Sequence, residues 1–168
     1  IKSGTDPSGG STYTIAGTSQ LMSVPYALHA KNAENVITPT YTVGYWPELG
    51  GYVFWVSPDG KHGLVSEIQD QGLTTWYGAQ DVISDPLNHS ADAQKFRDWR
   101  LPTKNELSLM YGNIGQGARP PNTNKGGFVL GGLYLSSTES PPEDNEFFVW
   151  GIYFSDGLVN PVNKAYPL

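Results

Sequence analysis

The sequence predicts an α+β domain built on a twisted antiparallel sheet, with short helices and long loops. Three observations lead to this prediction. Two runs, at 52–56 and 147–154, are dense in β-branched and aromatic residues, and each precedes a turn signal. The stretch Thr103-Lys104-Asn105-Glu106 has the spacing of a helix capping box. Glycine (20 residues) and proline (13 residues) are frequent enough among 168 residues to indicate many loops between these elements.

Composition narrows the class of protein further. The net charge is −6 and the isoelectric point is about 4.9, which argues against general binding of nucleic acid or of anionic membranes. Cysteine is absent, which removes disulfides, thiolate nucleophiles and cysteine-rich zinc sites. No apolar run is long enough to span a membrane, so membrane insertion is not expected. The chain starts at Ile1 without a signal peptide, and we expect a trimmed form of an extracellular protein.

The N-terminal part, residues 1–38, is expected to be a junction or stalk segment. Residues 12–16 alternate as a short strand does, and such a strand needs a partner from elsewhere. A helix is predicted after Ser23, with Pro25 in its first turn. Four apolar residues follow the heptad spacing of a coiled coil: Tyr26, Ala30, Ala33 and Ile37. This segment is therefore either a trimerising stub or a helix packed on its own domain.

The head domain is predicted to span residues 39–168. Its first hairpin pairs residues 52–56 with residues 63–66 across the turn Ser57-Pro58-Asp59-Gly60, and should centre the sheet. Residues 67–98 are polar and irregular, apart from a helix expected at about 89–97. A second irregular stretch covers 112–132. Long loops within a compact domain are usually functional or mobile, so both stretches are candidate binding regions.

The stretch from Asp98 to Leu107 is predicted to organise the core rather than to catalyse a reaction. Pro102 favours extended geometry before it, and Trp99 with Leu101 should end a strand. The capping box then starts a helix whose apolar face carries Leu107, Met110 and Tyr111.

The final elements are a strand and its return. The run at 147–154 is apolar on both faces and is expected to be central and covered on both sides. Asp156-Gly157 signals a two-residue hairpin, after which residues 158–163 should pair with this strand.

Sequence motifs for catalysis or metal binding are weak. The three histidines have no metal-ligand spacing. Asp85, Asn88, His89 and Asp92 offer oxygen and imidazole ligands for a calcium ion as an alternative, although they do not match an EF-hand, and no other cofactor is expected. Acidic pairs such as Glu67 with Asp70 leave a glycan-active enzyme as a further alternative.

Three motifs in order resemble the Legionella collagen-like protein C-terminal domain family over roughly residues 41–168. They are Trp99-Arg100-Leu101-Pro102-Thr103-Lys104-Asn105-Glu106-Leu107, Tyr134-Leu135-Ser136-Ser137-Thr138-Glu139, and Trp150 to Gly157 with Lys164 beyond it. Leu135 stands where that pattern has Trp. The resemblance implies a C-type-lectin-like head at the tip of an adhesive surface or fibre protein, often trimeric. It also implies that Ser136-Ser137-Thr138-Glu139 is a structural turn whose hydroxyls satisfy buried backbone groups. Residues 19–30 resemble a junction segment of Bacteroidetes surface proteins.

The predicted function is therefore non-enzymatic adhesion or receptor binding by the homotrimeric tip domain of a surface or phage-like fibre protein. The expected partner is a cell-surface glycan or receptor, with a glycan favoured. A structural trimeric cap without a ligand site is the first alternative, and a glycan-active enzyme is the second. Ring stacking and hydrogen bonds to hydroxyls are the chemistry that sugars require. The candidate ligand-binding residues lie in the long loops: Trp76, Tyr77, Asn88, His89, Asn122, Asn124, Lys125 and Asn145.

Overall fold

The structure is a computed structural model that describes residues 40–141 and 147–167. It is a mixed fold with two three-stranded antiparallel sheets and two short helices, where the sequence predicted one sheet. In chain order the elements are β1 (Gly44–Trp46), β2 (Gly51–Val56), β3 (Gly63–Ser66), α1 (Ala79–Ser84), α2 (Lys104–Ile114), β4 (Leu133–Glu139), β5 (Phe148–Tyr153) and β6 (Val159–Asn163). The predicted junction at 1–38, with its heptad residues, and Asn145 lie outside the described residues.

The first sheet has the order β1-β2-β3 and contains the predicted hairpin. The Ser57 N–H donates to the His62 carbonyl at 2.8 Å, which closes the turn, and Gly60 adopts a positive φ of 69° there. The register between β2 and β3 shifts between Val53 and Trp55. Such an irregularity increases the local twist of the strand pair. Val53 and Phe54 are buried and contribute this sheet's part of the core.

The capping box at the start of α2 is confirmed. Thr103 Oγ1 accepts the Glu106 N–H at 3.3 Å, and Glu106 Oε2 accepts the Thr103 N–H at 2.7 Å. Arg100 adds two hydrogen bonds to the same carboxylate, at 2.7 and 2.8 Å. These bonds hold the pKa of Glu106 at about 2, with the Arg100 guanidinium as the largest cause. The sequence did not predict this ion pair at the helix start.

The segment before α2 is held by side chains rather than by strand pairing. Trp99 and Leu101 belong to no strand, so the strand end predicted there is wrong. The Trp99 ring stacks on His89 with centroids 5.6 Å apart, and its Nε1–H donates to the Ala93 carbonyl at 3.2 Å. The Trp99 side chain is therefore held against His89 and Ala93 although its backbone belongs to no helix or strand.

The helix predicted at about 89–97 is also wrong, because residues 91–95 form turns. Helix α1 lies earlier, within the stretch predicted to be irregular. Asp85 ends it by accepting the Leu87 N–H at 2.9 Å, which caps a short 3-10 turn at Pro86–Asn88 instead. Aspartate bonds of this local kind compete with helix continuation.

The second sheet has the order β4-β5-β6, so the predicted central position of β5 is confirmed. Ile152 and the following Phe154 are fully buried and pack with Leu107 of α2 in one cluster. The strand is covered unevenly, since Phe148 and Trp150 are half-buried, while Phe147 before it and its last residue, Tyr153, are exposed. The predicted return strand is confirmed as β6, but the two-residue hairpin predicted at Asp156-Gly157 is wrong. The Tyr153 N–H donates to the Leu158 carbonyl at 3.0 Å, so the loop spans residues 154–157, where Gly157 has a φ of 78°.

The serine-rich motif lies within strand β4, so the predicted turn is wrong while the predicted role of its hydroxyls is confirmed. Buried Ser136 donates its hydroxyl to the Trp150 carbonyl at 2.7 Å. Thr138 Oγ1 accepts the Lys104 N–H at 2.9 Å, which ties the strand to the start of α2. The β4–β5 register shifts between Leu135 and Glu139, and this irregularity accounts for the turn-like sequence.

In the described part of the chain, no helix has the length and apolar character needed to cross a membrane.

Candidate functional site

Trp76 is anchored to the second sheet by three contacts. It starts a 3-10 turn at Trp76–Gly78, capped by the Thr75 hydroxyl. Its indole N–H donates to the Ser136 carbonyl at 3.0 Å, and its backbone N–H donates to the Lys164 carbonyl at 3.1 Å. The Lys164 ammonium lies 4.9 Å from the indole centroid, a cation–π distance. These contacts fix the turn on the sheet.

Tyr77 stands beside this anchored indole with its ring open to solvent. The two ring centroids are 5.7 Å apart with planes at 79°, an edge-to-face arrangement. Tyr77 is 60% exposed although its ring packs against Trp76. The turn therefore presents an aromatic surface whose backbone and supporting ring are already positioned.

A carboxylate is linked to the same indole through Lys164. Lys164 is 6% exposed, and its ammonium is 2.5 Å from Glu139 Oε2. A buried ammonium needs an opposite charge, and Glu139 supplies it from a side chain that is 57% exposed. We call Trp76, Tyr77, Glu139 and Lys164 the Tyr77 surface. It combines an exposed ring with a solvent-facing carboxylate.

The loop candidates at 122–125 contribute mainly to loop structure. The Asn124 amide donates to the Phe128 carbonyl at 3.0 Å and accepts the Phe128 N–H at the same distance. Its φ of 49° is one that asparagine tolerates better than most residues. Asn122 is half-buried and its N–H donates to the Arg119 carbonyl. Lys125 is exposed.

Asn88 and His89 serve the interior. The Asn88 amide donates to the Val82 carbonyl at 2.9 Å. His89 is 5% exposed, and its ring nitrogens lie 3.1 Å from a Glu67 oxygen and 2.7 Å from the Ile83 carbonyl oxygen. Neither side chain presents its polar atoms to a ligand on the surface. No pattern in the sequence predicted this role, because the contacts of His89 with Glu67 and Trp99 join residues 22 and ten positions apart.

The four residues proposed as calcium ligands each bind a different group of the protein: Asp85, Asn88, His89 and Asp92. Asp85 caps the 3-10 turn, and Asp92 accepts the Tyr45 hydroxyl at 2.5 Å. Across residues 40–141 and 147–167, no three His, Asp or Glu side chains come together as a metal cluster. The Glu67–Asp70 pair is engaged as well, since each carboxylate accepts backbone N–H groups of its own loop.

A large interior cavity was not predicted from the sequence. It has a volume of about 530 Å³ and lies between the first sheet, α2, β4 and the loops at 67–74 and 126–132. The candidates Trp76, Tyr77, Asn88, Asn122, Asn124 and Lys125 do not line it, whereas His89 does. The two long irregular stretches, 67–98 and 112–132, both contribute residues to its wall, so they were the only feature of the sequence that pointed to this cavity.

No known protein family matches this chain by its sequence profile, and no curated protein matches it significantly. The resemblance of the three motifs therefore stays a hypothesis, and function must be argued from the sites themselves.

Proposed function

We propose that the chain is a non-enzymatic recognition domain at the tip of an extracellular surface or fibre protein, and that its ligand is a glycan. The single observation that carries the proposal is the Tyr77 surface, with its exposed ring and nearby carboxylate. Aromatic rings stack on the apolar faces of sugars, and carboxylates accept hydrogen bonds from sugar hydroxyls. Because Trp76 fixes the turn, less conformational entropy is lost on binding.

The charge of this surface indicates which glycans it takes. Lys164 is nearly buried and paired with Glu139, so its charge is balanced before a ligand arrives. The outward-facing group is therefore the carboxylate, within a chain of net charge −6. Sulfated or otherwise anionic glycans would be repelled, and we expect neutral glycans instead.

Several ionisable side chains are already hydrogen-bonded within the protein, and this favours a binding role over a catalytic one. His89 has a partner at each ring nitrogen, and Glu106 receives Arg100 and a backbone N–H. The Glu67 carboxylate accepts two backbone N–H groups besides its contact with His89. A glycosidase needs two carboxyl groups that act on a shared substrate. Glu67 and Asp70 both line the interior cavity, but each carboxylate is already bonded to its own loop, which opposes that role.

The fibre-tip setting and the homotrimer rest on the motif resemblance and on the heptad spacing of Tyr26 to Ile37. Both remain part of the proposal. The alternative, a structural cap without a ligand, makes the opposite prediction for ligand binding.

A glycan array tests the ligand class. The full chain should bind neutral glycans. Tyr77→Ala should weaken binding by about tenfold or more, because truncation of a hot-spot tyrosine costs about 2 kcal/mol or more and 1.4 kcal/mol is tenfold in affinity. Tyr166→Ala is the matched control, since Tyr166 is 66% exposed and lies outside the Tyr77 surface. Absence of glycan binding, or equal binding by both variants, would reject the proposed site. Glycosidase turnover that one carboxylate substitution abolishes would favour the enzyme.

A further inference from the structure

The interior cavity has the dimensions of a small-molecule site. Its volume of about 530 Å³ falls within the roughly 300–1,000 Å³ typical of ligand pockets. Side chains from both halves of the fold meet around it, including Phe54 of β2, Leu107 and Met110 of α2, and Leu135 of β4. This wall is predominantly apolar, so it favours a ligand with an apolar body.

The charges around the wall disfavour an anionic ligand. Glu67 and Asp70 both line the cavity and bring carboxylates to it. The wall cation Arg100 has its guanidinium bonded twice to Glu106, and His89 has a partner at each ring nitrogen. A ligand carboxylate or phosphate would meet acceptors without a compensating cation.

The entrance is apolar as well. Leu73 and Val129 line the cavity and are 86% and 59% exposed, so they mark where it opens to solvent. Tyr134 connects the two loops that carry them: its hydroxyl accepts the Val129 N–H at 3.0 Å and donates to Asp70 at 3.2 Å. Burial raises the pKa of Tyr134, which keeps the phenol protonated as this donor.

We propose that this cavity binds an uncharged, largely apolar small molecule. The site is separate from the Tyr77 surface, because no residue of that surface lines the cavity. Its ligand class also differs, so the two proposals can fail independently.

A neutral fluorescent probe tests this proposal directly. N-phenyl-1-naphthylamine carries two aromatic groups and one N–H donor, and its emission rises in apolar surroundings. Titrated into the full chain, it should saturate at about one probe per chain, since such pockets are few per protein. Its anionic relative 8-anilino-1-naphthalenesulfonate should bind about tenfold more weakly, because the wall offers its charge no cation. Absence of saturable binding, as when a segment of the chain itself fills the cavity, overturns the proposal, and so does tighter binding of the anionic dye.

Two variants test whether the probe binds in the cavity. Leu135→Trp fills the cavity with the residue that the resembled motif carries at this position, and should weaken binding by about tenfold or more. Leu87→Trp is the matched control, because Leu87 is 84% exposed and does not line the cavity. Equal affinities in these two folded variants would refute the location.

A second, fully apolar compound remains informative if Leu135→Trp fails to fold. 1-Benzylnaphthalene has a CH₂ group in place of the N–H of N-phenyl-1-naphthylamine. It should displace the probe from the full chain with a similar affinity, because apolar contact supplies the binding. Failure to displace the probe would contradict the apolar character assigned to the site.

Discussion

Replacement of Leu107 by alanine tests the core that joins α2 to the second sheet. Leu107 is 1% exposed and packs with Ile152 and Phe154, which are equally buried. Leu→Ala substitutions in cores cost roughly 2–5 kcal/mol, through lost transfer free energy and the cavity left behind. Leu107 also borders the interior cavity, so part of its surroundings is already empty. We therefore expect a loss of about 3 kcal/mol in the free energy of unfolding, in the lower half of that range.

Urea unfolding followed by tryptophan fluorescence measures this loss, since the chain has five tryptophans. With a slope of about 2 kcal/mol per molar urea, the midpoint should fall by about 1.5 M. The melting temperature should fall by roughly 6–12 °C for a chain of this size. Leu109→Ala is the matched control, because Leu109 lies on the same helix and is 36% exposed. Its helix-propensity change is identical, so the difference between the variants reports burial alone.

The reasoning would be refuted if the two variants unfolded at the same urea concentration with unchanged slopes. Leu107 would then contribute no more than a surface leucine, and the cluster with Ile152 and Phe154 would not be the centre of the fold.

Three further predictions concern charge, backbone and assembly. Because the pKa of Glu106 is lowered to about 2 from an ordinary 4.5, its stabilisation is present above pH 4.5 and is lost as the pH falls towards 2. Urea midpoints should show Glu106→Gln destabilised by about 1–2 kcal/mol at pH 7, less than the full shift implies because solvent screens the partly exposed pair. The difference from the parent should shrink through that window, and a pH-independent difference would contradict the prediction. Gly157→Ala should destabilise more than Gly60→Ala, since both have positive φ but a Cβ at Gly157 would lie 2.5 Å from the Tyr111 ring, while one at Gly60 meets nothing; equal thermal melts would show that contact to be harmless. Light scattering on residues 1–168 should give about three times the 18.3 kDa chain mass, and a fragment from Thr40 should associate more weakly. A monomer at high micromolar concentration would reject the trimer, and unchanged assembly of the fragment would place its contact in the head.

Elements with short-range signals were predictable from the sequence alone. The capping box needs Thr103 and Glu106 at a spacing of three, and local hydrogen bonds between them are sufficient to set the helix start. The hairpin between β2 and β3 follows from two apolar runs and a proline-containing turn. The central strand β5 follows from its apolar character. Each of these depends on residues close together in the chain, so the pattern and the physical cause coincide.

Segments whose conformation is set by contacts with distant residues were not predictable in this way. The helix expected at about 89–97 is replaced by turns, because His89 bonds to Glu67, 22 positions away, and stacks on Trp99. The serine motif forms part of a strand, since its hydroxyls find acceptors and donors in β5 and α2. Local propensity is a weak preference, and such tertiary contacts override it.

The candidate site likewise has features that the sequence determined and features that only the tertiary structure decided. The sequence by itself determined that aromatic and amide side chains are concentrated in long loops, and that no cysteine chemistry is available. Only the tertiary structure decided that Tyr77 is exposed, that Trp76 is tied to Ser136 across 60 positions, and that Asn124 is used within its own loop. It also brought the loops at 67–74 and 126–132 together around a cavity. Composition and spacing record which groups a loop carries, whereas the packing of sheets and helices decides which loops meet and which atoms remain for a ligand.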